Sequence, residues 1–256
     1  MSHPRTLREL QEDRHERPRR LRHRQTRGLH RWEHAASVSA QVHVHGGFWG
    51  FKGQPDLLGH ELVTADLHRQ HISMRPFDSA RTLQFDRVAD RVEITDRDGR
   101  IVDELTAPRA SMAGYAGDTP WTPTQTGYFI SYASWMYLLE PFVFTLPDVE
   151  TREIEPWGED GEIWRRLEVT FPESIASHST VQTYYFDAKT GLQRRMDYEV
   201  EVNGWANVAH YTSEHRAFSE MIVPTRRRVL LRNEQNVADH GSAAILLDVG
   251  HVRLIH

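Results

Sequence analysis

The sequence predicts a mostly β, α+β chain: a single curved antiparallel sheet of about eleven strands, forming an incomplete barrel that one or two helices close. Three observations predict it. From Ser37 onward, short runs alternate apolar and polar residues with a period of two, as half-buried strands do. Turn signals separate those runs, among them Asp98-Gly99, Lys189-Thr190-Gly191 and Asn203-Gly204. One segment alone, Gly127–Leu139, spaces its apolar residues as a helix does, between Pro123 and Pro141.

Each element has its own local warrant. In Ser37–His45, Val38, Ala40, Val42 and Val44 alternate with polar residues, and Gly46-Gly47 ends the run. Further strands are expected at His60–Asp66, His68–Arg75, Thr82–Asp86 and Arg91–Thr95, with Ile101–Leu105 returning from the Asp98-Gly99 turn. Gly46 to Gly53 is glycine-rich but interrupted by Phe48, Trp49 and Phe51, and reads as a wide loop or bulge packing two rings. The helix carries Tyr128, Ser131, Tyr132, Trp135 and Leu139 along one face, and its aromatic load marks it as buried. Strands resume at Glu150–Pro156 and Trp164–Phe171. The best-defined hairpin follows: Val181–Asp187, a turn through Gly191, and Leu192–Val200. Trp205–Thr212, Met221–Arg232 and Ala244–Ile255 complete the series. Strands joined in sequence by short loops make a meander, and one this long must close or nearly close to protect its edges.

Composition bounds the rest. The chain has 256 residues, 39% hydrophobic and 26% charged, which is a globular balance. No internal repeat and no long Gly/Ser or Pro-rich linker divides it, so residues 32–256 read as one domain. Residues 1–31 form a separate Arg/His-rich arm with a net charge of +6, partly helical near Leu7–Arg20. The arm has no interleaved aromatics, zinc spacing or basic-zipper heptad, so a nucleic-acid partner is not expected. There is no cysteine, which excludes disulfides, thiolate metal sites and cysteine nucleophiles. No apolar run reaches the roughly 18 residues of a membrane span, and no apolar leader follows Met1. A cytoplasmic chain is therefore expected, without a membrane partner; a homodimer is left open.

Four words in the second half carry a family likeness. They are Trp164-Arg165-Arg166-Leu167-Glu168-Val169-Thr170-Phe171-Pro172, Gln182-Thr183-Tyr184-Tyr185-Phe186-Asp187, and Thr190-Gly191-Leu192-Gln193-Arg194-Arg195-Met196-Asp197-Tyr198, followed by Val223-Pro224-Thr225-Arg226. A strand ending in Asp, a Thr-Gly-Leu turn and an Arg-bearing return strand resembles the lipoprotein-carrier superfamily of LolA/LolB-like half-barrels, which includes the VioE-type enzymes. The resemblance implies an incomplete antiparallel barrel around an apolar pocket. In the carriers that pocket holds acyl chains; in VioE-type enzymes an aromatic intermediate is rearranged without cofactor or metal. The absence of a lipobox cysteine and of a targeting segment departs from the carriers.

Candidate site residues follow from strand parity. If Phe186 pairs with Leu192, then Tyr184 faces Arg194, Gln182 faces Met196, and Tyr198 continues the same face. Aromatic and apolar residues with a few polar groups are what ligand cavities use. Arg195 and Asp197 share the opposite face and read as a surface ion pair. His178 and His210 are candidate acid/base groups because an unperturbed imidazole titrates near neutrality. The catalytic candidates are His178, Tyr184, Arg194, Tyr198 and His210; the substrate-binding candidates are Tyr128, Tyr132, Trp135, Gln182, Met196 and Arg226. One arginine of Arg226-Arg227-Arg228 could point inward and clamp a carboxylate, given an acidic partner. His43 and His45 share a strand face, but Gly46 to Lys52 supplies no Glu to complete a cupin-like metal site. They are expected to face solvent, with no metal and no cofactor. No nucleophile elbow, Walker loop or dinucleotide fingerprint is present. The expected function is a cofactor-independent isomerase, cyclase or rearrangement enzyme acting on an apolar or aromatic small molecule. The alternative is a carrier of a lipid or hydrophobic metabolite.

Overall fold

The structure is a computed structural model and describes residues 31–78, 80–218 and 221–256. Apart from Arg31, the basic arm lies outside the described residues. Thirteen strands form one antiparallel sheet, two more than the approximate count from sequence. They are β1 (Ser37–His45), β2 (His60–Asp66), β3 (His71–Phe77), β4 (Arg81–Asp86), β5 (Arg91–Thr95), β6 (Ile101–Thr106), β7 (Glu150–Glu159), β8 (Glu162–Thr170), β9 (Val181–Asp187), β10 (Gln193–Val200), β11 (Ala206–Phe218), β12 (Met221–Leu231) and β13 (Ile245–Ile255). Among the elements lying wholly within the described residues, two are α-helices, α1 (Gly47–Phe51) and α2 (Pro123–Leu139). No described helix is long and apolar enough to cross a membrane.

The spatial order is β6-β5-β4-β3-β2-β1-β13-β12-β11-β10-β9-β8-β7. The chain starts mid-sheet, meanders to one edge, crosses through α2 to the other edge, and meanders back until β13 pairs with β1. β6 and β7 do not pair, so the barrel is incomplete. The two edges are protected by charge: β6 carries Asp103 and Glu104, and β7 carries Glu150, Arg152, Glu153 and Glu155. Pro156 lies at the β7 irregularity between Ile154 and Trp157, where its missing donor costs no ladder bond.

α2 begins at Pro123, four residues before the Gly127 start expected from the apolar spacing, because a cap sits there. Thr122 caps it by accepting from the Gln125 backbone N–H, Gln125 reaches back to the Thr122 N–H, and Pro123 occupies the first turn. The expected apolar stripe is absent because every residue from Thr124 to Leu139 is buried. The helix fills the concave side of the sheet, packing chiefly on β3–β5. Gly127 permits that approach: a Cβ there would stand 2.6 Å from Leu83 Cδ1 on β4. At the β10–β11 turn, Gly204 adopts φ 64°, and a Cβ would stand 2.8 Å from the Gly117 backbone N. The segment expected to be a loop at Gly47–Phe51 is instead the short α1, with Trp49 buried and Phe48 edge-on to Trp121. Likewise β3 starts at His71, not His68: the Asp66 carboxylate accepts from the His68 and Arg69 N–H groups and holds a turn there.

The Val181–Val200 hairpin forms with a different register. Gln193 pairs with Phe186, a bulge follows, and beyond it Met196 pairs with Tyr184 and Arg195 with Tyr185. The extra residue in the bulge is what the straight-ladder reading could not include. The outer face of β9–β11 is also not a plain solvent surface. Arg195, read as half of a surface pair, is fully buried. It donates to Asp197 in bidentate fashion at 2.6 and 2.9 Å, to Glu159 at 2.7 Å, to the Tyr211 hydroxyl and to the Asn236 carbonyl. Tyr185 donates to the same Asp197 at 2.7 Å.

Candidate functional site

Strand parity and α2 bring one polar cluster into the apolar interior. Met196, Tyr198, His210 and Val229 share the inner face of β10–β12, since Met196 pairs with His210 and His210 with Val229. From α2, Tyr132 and Tyr137 point toward them. His178, from the loop between β8 and β9, lies between the two tyrosines. The Tyr132 hydroxyl meets His178 Nδ1 at 3.1 Å, and the Tyr137 hydroxyl meets His178 Nε2 at 2.8 Å. Tyr137 joins Tyr198 at 3.2 Å, and Tyr198 joins His210 Nδ1 at 3.3 Å. The result is one buried chain: Tyr132, His178, Tyr137, Tyr198, His210. The His178 ring stacks on Tyr198 with centroids 4.0 Å apart.

Burial sets the protonation of this chain. It pushes His178 down to about 3, with the Arg109 guanidinium adding repulsion. Burial also depresses His210 well below the usual imidazole range, assisted by Arg227 and His178. Both imidazoles are neutral near pH 7, so each has one donor and one acceptor nitrogen. Burial likewise raises Tyr132, Tyr137 and Tyr198, keeping their hydroxyls protonated. His210 Nε2 is buried without a partner.

Beside the chain lies a second buried group. Arg227 Nη2 donates to Glu140 Oε2 at 2.8 Å and to the Tyr137 carbonyl at 3.0 Å, its cation lies 4.6 Å from the Tyr137 ring centroid, and Gln193 donates to the same carboxylate oxygen at 3.0 Å. The inward arginine of the triplet is thus Arg227, held by a protein carboxylate. Arg226, the one expected to bind substrate, faces outward and pairs with Glu214 and Asp248. Met221 and Val229, at odd positions like Arg227, are buried with it, whereas Arg226 and Arg228 are exposed.

A pocket of about 570 Å³ opens at one end of the chain of hydroxyls. Phe48, Phe129, Val200, Val208, Val229 and Ile245 line it, and Tyr198 forms part of its wall. Asn203, 8% exposed, also lines it, and its side-chain oxygen has no hydrogen-bond partner. Asp118 and Tyr198 are the titratable groups in the lining.

The sequence-predicted residues divide accordingly. Tyr132, His178, Tyr198 and His210 come together, and of all the candidates Tyr198 alone lines the pocket. Tyr184 is buried nearby, its hydroxyl donating to Gln182 at 3.3 Å and its ring edge-on to Phe144. Met196 is fully buried in the core. Tyr128 accepts from Arg109 at 3.1 Å, and Trp135 donates to the Asp66 carbonyl at 2.8 Å; both are packed in the core away from this pocket. Arg194, expected inside, sits at the bulge and pairs with Glu162 at 2.7 Å over Trp164. Asn203 and Arg109 were not selected from sequence as site residues. Arg109 also pairs with Glu201 at 2.5 Å and donates to the Ser177 carbonyl.

No family model matches the chain, and no curated protein matches it. Several solved structures are similar in outline. A putative outer membrane lipoprotein-sorting protein domain from Vibrio parahaemolyticus aligns over 94% of this chain and 93% of its own, at 10% identity and a TM-score of 0.48. A LolA superfamily protein from Nitrosomonas europaea aligns over 87% and 86%, at 9% identity and a TM-score of 0.46. A DUF1329 family protein from Desulfovibrio piger aligns over 93% of each chain, at 10% identity and a TM-score of 0.48. No ligand and no activity is carried over from them.

Proposed function

We propose that this protein binds an apolar or aromatic small molecule in the pocket between α1, α2 and the β10–β13 end of the sheet. The carrying observation is the pocket itself. At about 570 Å³ with mostly apolar walls, it has the size and character of a small-molecule site. Binding without catalysis is favoured because the lining does not gather acid/base groups, and His178 and His210 lie behind Tyr198 in a packed, neutral chain. The test is native mass spectrometry of the purified chain together with titration of the anionic aromatic dye 1-anilinonaphthalene-8-sulfonate. Saturable dye binding that is lost in Ala206→Trp, which fills the pocket, supports the reading. Equal binding by a folded Ala206→Trp protein overturns it.

One observation favours a second reading. Tyr198 touches the pocket and connects through hydrogen bonds to His210 and Tyr137, so a proton could move between a bound molecule and the chain behind it. A cofactor-independent isomerase or cyclase would use Tyr198 in this way. Under this reading Tyr198→Phe abolishes turnover while leaving affinity unchanged. Under the binding reading there is no turnover to abolish.

A further inference from the structure

We propose that His43, His45 and Asp248 form a binding site for a divalent transition-metal ion of the zinc class, on the outer face of the sheet where β1 meets β13. The pairing that joins the first and last strands creates it. His43 stands directly opposite Asp248 in the β1–β13 ladder, so both side chains leave the same face; His45, two residues on, shares that face. All three side chains are half-buried, and their ligand atoms lie within 4.8 Å of one another. At metal–ligand lengths of about 2.0–2.1 Å, two donors of a tetrahedral zinc site lie about 3.4 Å apart. His45 Nε2 and Asp248 Oδ2 are already 3.4 Å apart. The His43 ring stacks against His45 and against His60, with centroid separations of 4.5 and 3.9 Å. One of its ring nitrogens already lies within 4.8 Å of both other donor atoms.

The chemistry of the donor set narrows the ion. Two imidazoles and one carboxylate suit zinc, copper(II) or nickel(II) better than magnesium or calcium, which need oxygen shells. Arg226 Nε lies 3.4 Å from Asp248 Oδ1, the oxygen that faces away from His45. It therefore orients the carboxylate to offer Oδ2 alone, as outer-shell partners of metal ligands do. A cleft of about 530 Å³ adjoins His43 and Asp248 and is also lined by Gln41, His60 and Arg75, leaving room for a water or a small anion at the fourth position. The site lies on the outer face of the sheet and does not depend on the reading of the apolar pocket.

The chain has sixteen histidines, so uptake alone is not a sufficient readout. The experiment is isothermal titration of the full-length, chelator-treated protein with Zn²⁺ at pH 7.5, comparing wild type with His43→Gln/His45→Gln and with Asp248→Asn, each checked for folding by circular dichroism. The expected result has three parts: one equivalent bound in wild type, loss of that equivalent in the double variant, and weakening by more than about tenfold in Asp248→Asn. A Co²⁺-loaded wild type showing intense tetrahedral absorption, absent from the double variant, supports the same geometry. Equal Zn²⁺ uptake by wild type and the folded double variant overturns the proposal. Should the double variant fail to fold, histidine-labelled wild type in a Zn²⁺ titration followed by NMR decides: first and saturating shifts at His43 and His45 support the site, and first shifts elsewhere refute it.

Discussion

The buried Arg227–Glu140 pair allows one prediction to be worked through. Both side chains are 1% exposed, and the pair is bridged at 2.8 Å. One oxygen of Glu140 and one nitrogen of Arg227 lack further partners. Arg227→Met fills similar volume but leaves the carboxylate buried without a cation. Breaking such a pair from one side costs about 3–5 kcal/mol. At about 2–4 °C per kcal/mol for a domain near this size, Tm falls by roughly 6–20 °C. Replacing both members, as Arg227→Met/Glu140→Met, removes the stranded charge and recovers most of the loss, because two well-packed apolar side chains need no compensation. The pH dependence carries a sign. Burial already holds Glu140 above the usual carboxylate range, with Arg227 pulling it down. Without Arg227 it rises further. A folded-state value above the unfolded one means stability that is present at low pH and lost as pH rises through the folded value. The single variant is therefore closest to wild type near pH 5 and farthest from it near pH 8. Urea unfolding at both values measures this. A single variant within 1 kcal/mol of wild type at pH 8, or a double variant no better than the single, refutes the argument.

Three other perturbations test separate parts of the fold. Glu61 is buried with one oxygen accepting from the Gly59 N–H and the other unpartnered, and burial pushes it up to about 7. Wild type should lose up to about 3 kcal/mol between pH 5 and 8, a dependence that Glu61→Gln removes in denaturant titrations. Gly127→Val places a branched side chain against Leu83 and should cost about 1–3 kcal/mol. Its cost in a Leu83→Ala background should be smaller, and purely additive values in the double-mutant cycle would sink the close-approach argument. Tyr198→Phe strands the His210 Nδ1, while the Tyr137 hydroxyl keeps His178 Nε2, and should cost about 1–3 kcal/mol by thermal melting; no measurable change would mean that the buried chain is not a stabilising network.

The sequence by itself determined the strands, the helix and most of the faces. Alternation is a local property: Val38, Ala40, Val42 and Val44 must share a side whatever they pack against, and all four are buried. The N-terminus of α2 was equally local, written in Thr122, Pro123 and Gln125. What local pattern could not supply was anything depending on partners far along the chain. A single bulged residue after Gln193 moved Arg194 out of the interior and replaced it with Met196 opposite Tyr184. Arg195 looked like a surface residue until Glu159 and the Asn236 carbonyl closed over it, and a long charged side chain becomes buried only when distant groups satisfy it. His43 and His45 lacked a third ligand within their own segment; the pairing of β1 with β13 brings Asp248 to them across 203 residues. Local periodicity decides which way a side chain points. Tertiary structure alone decided what it meets there, because register, closure and charge compensation are set by pairings that no single segment contains.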